Sequence, residues 1–136
     1  EEITRILGDL SGKIIIDPTN PLERNLLIFH HAVETSNAEL IQAVAPDAYV
    51  VKAFNTLNWR TMIDPDASGG PVSIPLAGDN RQAKKVVREL VEGMGLEAID
   101  VGGIENAHWV EGMLMLWINN RLSMRESFDF HLRKVD

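Results

Sequence analysis

Apolar residues along the chain change their spacing several times, and each change marks an element. Ile3, Ile6, Leu7 and Leu10 recur at helical intervals until Gly12, which predicts a short opening helix. Lys13 to Asp17 contains three consecutive isoleucines and closes on Pro18, a β-branched run that predicts a strand buried on both faces of a parallel sheet. No period holds from Pro18 to Thr35, where prolines and asparagines predict a long loop. Ser36 and Glu39 form a capping box ahead of Leu40, Ile41 and Val44, and Pro46 ends that helix. Tyr49 to Phe54 reads as a second strand, so the order strand, loop, helix, strand predicts a right-handed crossover between parallel strands.

The pattern then repeats. Asn55 to Val72 is a loop rich in Asp, Pro and Gly with one helical turn near Trp59. Val72 to Ala77 predicts a third strand, in which Pro75 points to an edge position or a bulge. Asp79 and Gln82 are placed to cap a helix whose Ala83, Val86, Val87, Leu90, Val91 and Met94 keep helical spacing. Gly95 stops it, Leu96 to Val101 predicts a fourth strand, and Gly102–Gly103 turns the chain. A last helix from Asn106 to Leu122 is apolar nearly all round, so it is expected to pack against a second surface, at a dimer or domain interface. The tail from Arg121 has room for one further short helix. The expectation is an α/β fold of about four strands with flanking helices and a long apolar C-terminal helix. It covers 1–136 as a single partial domain, with crossover units over 1–101 and a helical interface segment over 102–136.

Composition removes several function classes. A net charge of −7 has the wrong sign for nucleic acid. The absence of cysteine excludes disulfides, thiolate metal sites and a Cys nucleophile, so redox chemistry would need a borrowed cofactor. No segment approaches the roughly 18 apolar residues of a membrane span, and Glu1–Glu2 is acidic where a targeting peptide would be basic. A cytoplasmic protein without membrane or nucleic-acid partners is expected.

Ligands of open α/β sheets bind beyond the carboxyl ends of the strands. The first strand exits through Asp17-Pro18-Thr19-Asn20-Pro21 and the second through Phe54-Asn55-Thr56-Leu57-Asn58-Trp59. Amide and hydroxyl groups there suit a carboxamide, with Pro, Leu and Trp as an apolar wall; the same residue types also serve simply to cap turns. Other candidates are weaker. His30–His31 with Asp64 and Asp66 is no metal-ligand spacing, because adjacent histidines diverge. His108 and Glu111 share a helical face but lack the second histidine of a hydrolytic helix, so solvent exposure or interface pairing is expected. No serine sits in a nucleophile turn. Lys52, inside a strand, reads as reaching past an edge.

Five pieces in order carry a resemblance: Ser36-Asn37-Ala38-Glu39-Leu40; Val51-Lys52-Ala53-Phe54-Asn55-Thr56; Leu76-Ala77-Gly78-Asp79; Ala83-Lys84-Lys85-Val86-Val87; and Met94-Gly95-Leu96-Glu97 through Asp100-Val101-Gly102. The chain resembles the NADPH-dependent deazaflavin (coenzyme F-420) oxidoreductases, and is similar to the cytosolic reductase domain of the six-transmembrane metalloreductases, over roughly residues 12 to 118. The resemblance implies the second half of a Rossmann-type, doubly wound NAD(P)-binding domain. The Gly-x-Gly-x-x-Gly turn that seats the pyrophosphate has no counterpart in this sequence. It further implies hydride transfer between NADP(H) and a flavin-like or deazaflavin acceptor, with no catalytic acid, base or metal from the protein. Asn20, Pro21, Asn55 and Thr56 would meet the cofactor, and Leu57 and Trp59 the second substrate. The residues that separate NADP from NAD would lie in the other half.

Burying one isoleucine is worth about 1.5–3 kcal/mol, so an uncovered Ile14-Ile15-Ile16 strand is costly. It is expected to be covered by a second copy or by the missing N-terminal half, with the C-terminal helix as a further homo-oligomer contact. The alternative function is a non-catalytic dimerisation or regulatory module derived from such a reductase.

Overall fold

A computed structural model describes residues 2–25, 28–31, 34–69, 71–122, 128 and 130–135, and for 3, 24, 25, 28–31, 67 and 68 the backbone alone. Strand β1 (Ile14–Asp17) pairs in parallel with β4 (Tyr49–Lys52), and β5 (Ser73–Ala77) pairs in parallel with β6 (Glu97–Gly102), in the order β1-β4-β5-β6. Each pair is joined by a helix, α2 (Asn37–Val44) in the first and α4 (Arg81–Gly93) in the second, as the two crossover patterns predict. The pairs run opposite to one another, meeting through Lys52 and Ala77, so the sheet is mixed. At that seam Gly78 is required: a Cβ there would lie 2.7 Å from the carbonyl oxygen of Val50.

Helix signals are largely realised. The Ser36 hydroxyl accepts from the Glu39 N–H at 3.1 Å and donates to its carboxylate at 2.8 Å, closing the capping box. Of the predicted α4 stripe Ala83, Val87 and Val91 are buried while Val86, Leu90 and Met94 stand exposed, and Gly95, at φ +79°, ends the helix. Together with Val51, Val72, Ile74, Leu76 and Leu96 those buried residues form the main core.

Several expectations are corrected. The opening helix α1 (Glu2–Ile6) is only five residues long, and Ile6 and Leu7 stand exposed, because a single turn offers no continuous face to bury. The loop 18–35 contains a hairpin, β2 (Leu22–Asn25) with β3 (Ile28–His31), whose pairing rests on backbone bonds rather than an apolar alternation. Asn80, not Asp79, caps α4; Asp79 instead accepts the Ile104 N–H at 2.9 Å. Pro75 lies in a fully buried internal strand, not an edge. Its missing N–H is tolerated because, among the described residues, the side of β5 away from β6 is paired at Ser73 with Leu132 and at Ala77 with Lys52 but not at Pro75, and the expected irregularity occurs at Leu76/Ala77.

The strand read as buried on both faces, β1, is an edge strand of the sheet, with Ile14 exposed and Ile15 and Ile16 half-buried. Helix α3 (Trp59–Ile63) supplies the turn expected near Trp59. Helix α5 (Ala107–Leu122) occupies the predicted span, but burial is confined to Ala107, Val110 and the charged Glu111, while Trp109 and Leu116 stand in solvent. The expected tail helix falls partly on residues 123–127, outside the described residues; further on, Leu132 bridges Ser73 in extended form. The side chains of His30 and His31 also lie outside the described residues.

Candidate functional site

Parallel pairing sets Asp17 opposite Lys52, so β1 and β4 deliver their last residues to one end of the sheet. Lys52 is wholly buried, and a buried ammonium is tolerated only when its three N–H groups find acceptors. Its Nζ lies 2.7 Å from Asp17 Oδ2 and 2.6 Å from Glu111 Oε1, and donates to the Thr19 carbonyl. Both carboxylates are wholly buried too. Asp17 Oδ1 accepts from the Thr19 N–H at 2.9 Å and the Thr19 hydroxyl at 2.6 Å. Glu111 Oε1 accepts from the Asn37 N–H at 2.9 Å. Because Asn37 opens α2, the electropositive end of that helix is already matched by the protein's own carboxylate.

Asn20 and Asn55 follow the same two strand ends by three residues each, and they converge. Asn55 Nδ2 donates to Asn20 Oδ1 at 3.0 Å and to the Val110 carbonyl at 3.1 Å, and Asn20 Nδ2 donates to the Asn55 carbonyl at 3.3 Å. Both partners of Asn55 Nδ2 are acceptors, which determines the orientation of its amide. Asn55 Oδ1 is left buried with no hydrogen-bond partner among the described residues, in a residue only 4% exposed. An unmatched buried acceptor costs about 1–3 kcal/mol, a cost that an N–H donor reaching this oxygen would relieve.

The residue before it, Phe54, has φ +66°, a left-handed conformation that costs a bulky side chain about 1–2 kcal/mol. The reversal keeps the Phe54 ring on the main core while Asn55 turns towards Asn20 and Val110. Next along the chain, Thr56 and Leu57 line a cavity of about 70 Å³ with Met113, Leu114, Trp117 and Phe130. Pro21 is buried beside Asn20. Trp59 does not join them: it is 65% exposed at the head of α3, with the Arg60 guanidinium 5.4 Å from its ring centre. The structure therefore brings Asn20 and Asn55 into direct contact, sets Thr56 and Leu57 on a small cavity against α5, and leaves Trp59 in solvent.

The charged residues at the centre of this end are those sequence reasoning undervalued. Lys52 does not reach past an edge, and Glu111 neither faces solvent nor waits for a partner chain: each neutralises the other inside this one. The signal was available, since Glu111 is the single acidic residue within the apolar helix and Lys52 and Asp17 each close a β-branched strand. His108 supports the same docking of α5, through a hydrogen bond between its Nδ1 and the Thr35 carbonyl.

No protein-family profile matches the chain. The metalloreductase STEAP3 of Rattus norvegicus is 34% identical over 109 residues, covering 79% of this chain and 21% of that protein. The F420-dependent NADP reductase of Methanothermobacter marburgensis is 32% identical over 125 residues, covering 85% of this chain and 54% of that protein. Among solved structures, a putative F420-dependent NADP reductase from Arthrobacter sp. FB24 superposes with a TM-score of 0.77 at 36% identity, covering 85% of this chain and 54% of that one. The homologues of this chain are thus F420-dependent NADP reductases and STEAP metalloreductases, and it spans about half the length of the former and about a fifth of the latter.

Proposed function

We propose that this chain supplies the nicotinamide end of an NADP(H)-dependent oxidoreductase that passes hydride to a flavin-like or deazaflavin acceptor. In this reading it is the second half of a Rossmann-type domain, and its closing helix forms one wall of the acceptor site. The observation that carries the reading is the orphan acceptor Asn55 Oδ1, held in one orientation at the sheet end where β1 and β4 stop. A carboxamide presents the N–H that this oxygen lacks. The names of the homologues, with NADP in one set and reductase in both, support the same class.

The fit is partial in an instructive way. Asn20 and Asn55 suit the carboxamide, and Thr56 and Leu57 suit a flat apolar ring. The phosphates find no matching turn in this sequence, and the α2 N-terminus is taken by Glu111. When bound, NADPH supplies hydride to a planar acceptor. The protein's part is to orient the carboxamide, hold the rings face to face and exclude water, and no side chain has to move a proton. The remaining half of the domain is placed by this reading at the open edge of β1, over a groove of about 590 Å³ whose apolar lining includes Leu7, Ile15, Ile16, Leu40 and Ile41. The exposed Trp109 and Leu116 of α5 are its proposed contact with a second copy.

The test is thermal stability of the chain with reduced nicotinamide mononucleotide, with NADPH, and with nicotinic acid mononucleotide as control. A ligand at ten times its dissociation constant stabilises the folded form by about 1.4 kcal/mol, so both nicotinamide ligands should raise the melting temperature. The carboxylate analogue should not, and Asn55→Leu should abolish the effect. A folded protein that responds to none of them at millimolar concentration would falsify the reading.

A further inference from the structure

We propose that Lys52 is the positioning residue of the asparagine pair, its ammonium serving as the one node through which both amides are aimed. The inference rests on the proposed function only for the claim that Asn20 and Asn55 meet the ligand. Its geometry stands independently of that claim.

Each acceptor on the ammonium lies next to a contact of the pair. The Thr19 carbonyl belongs to the residue before Asn20. Glu111 follows Val110, whose carbonyl receives Asn55 Nδ2. Asp17 holds the Thr19 N–H and hydroxyl, closing the turn that launches Asn20. Lys52 itself starts the four-residue path to Asn55 through the left-handed Phe54. One buried cation therefore ties together both strand exits and the helix that completes the site.

Stability alone does not account for such a triad, since well-packed apolar side chains in place of buried ion networks are commonly as stable or more so. What apolar packing does not supply is direction. Two charge-assisted hydrogen bonds and one ion pair from a single nitrogen fix where each acceptor's backbone lies, and with it the neighbouring residue. Glu111 and Asp17 are each bound by further donors, so the ammonium is the shared element and not one link among equals.

The experiment is side-chain amide hydrogen exchange by NMR on the chain, with backbone amides of β5 and β6 as the control for folding. The triple variant Lys52→Met, Asp17→Asn, Glu111→Gln removes all three charges together, leaving none unpaired. Its Asn55 side-chain amide should exchange about tenfold faster, the equivalent of one lost hydrogen bond, while the β5–β6 amides keep their protection. Lys52→Arg is the second variant: it keeps the charge but replaces a compact ammonium with a planar fork, and should likewise release the Asn55 amide. An Asn55 amide as protected as in the parent, in either folded variant, overturns the proposal. If the parent shows the protected amide and the variants lose it, but no nicotinamide ligand shifts the melting temperature, the positioning role stands and the functional reading falls.

Discussion

The two strand–helix–strand units share a connection but not an interior. Around β5, α4 and β6 the buried side chains are almost all aliphatic, with Ile74, Leu76, Val87, Val91 and Leu96 in one cluster. Around β1, α2 and β4 the deepest groups include an ammonium and a carboxylate, completed by a second carboxylate from α5. Aliphatic packing is strong and non-directional, which suits a unit whose task is to hold the sheet together. Ionic hydrogen bonds add little net stability but define positions, which suits the end of the sheet where two amides have to meet. The charged unit ends at the β1 edge and the aliphatic unit at the β6 edge, so stability and site geometry are assigned to opposite halves of the same sheet.

The sharpest way to break this contrast is Lys52→Met alone, which leaves Asp17 and Glu111 buried without a cation. It should cost about 3–5 kcal/mol in urea denaturation, and a cost comparable to a surface substitution would mean the triad is not a closed network. Ile74→Val, in the aliphatic unit, should cost about 0.5–1.5 kcal/mol and leave the Asn55 side-chain amide and any response to nicotinamide ligands unchanged. The smallest effect belongs to Lys84 and Asp100, 2.7 Å apart at the surface of the same unit. Burial alone would raise the Asp100 carboxyl, but hydrogen bonds from Lys84 and the Gly102 N–H, with the charges of Lys84 and Arg88, hold it below the usual carboxylate range. A lowered folded value means that its contribution is present above the unfolded value near 4 and disappears as pH falls through the folded one. Lys84→Met should therefore flatten the acid limb of stability against pH by less than about 1 kcal/mol, since the pair is partly exposed.

The contrast also explains what the sequence disclosed. Periodicity registers apolar residues, so β5, α4, β6 and the capping box before α2 were legible from spacing alone. Strand ends rich in Asn and Thr pointed to Asn20 and Asn55, because the carboxyl ends of parallel strands are a known place for ligands. The hairpin was not legible: Leu22–Asn25 and Ile28–His31 carry no alternation, and their pairing is a backbone matter. Pro75 signalled the irregularity at Leu76/Ala77 but not the strand's internal place, because position in a sheet depends on which neighbours pair, a long-range fact that a local signal cannot contain. Lys52 and Glu111, separated by more than fifty residues, become a pair only once α5 has docked.

The left-handed Phe54 carries a practical consequence for anyone engineering the chain. Glycine or asparagine would adopt that backbone at little cost, yet either would remove a ring from the main core and slacken the chain just ahead of Asn55. Relief of backbone strain and loss of the ring's packing oppose one another in stability, so a screen for heat resistance alone would misjudge a position that also holds the chain ahead of Asn55.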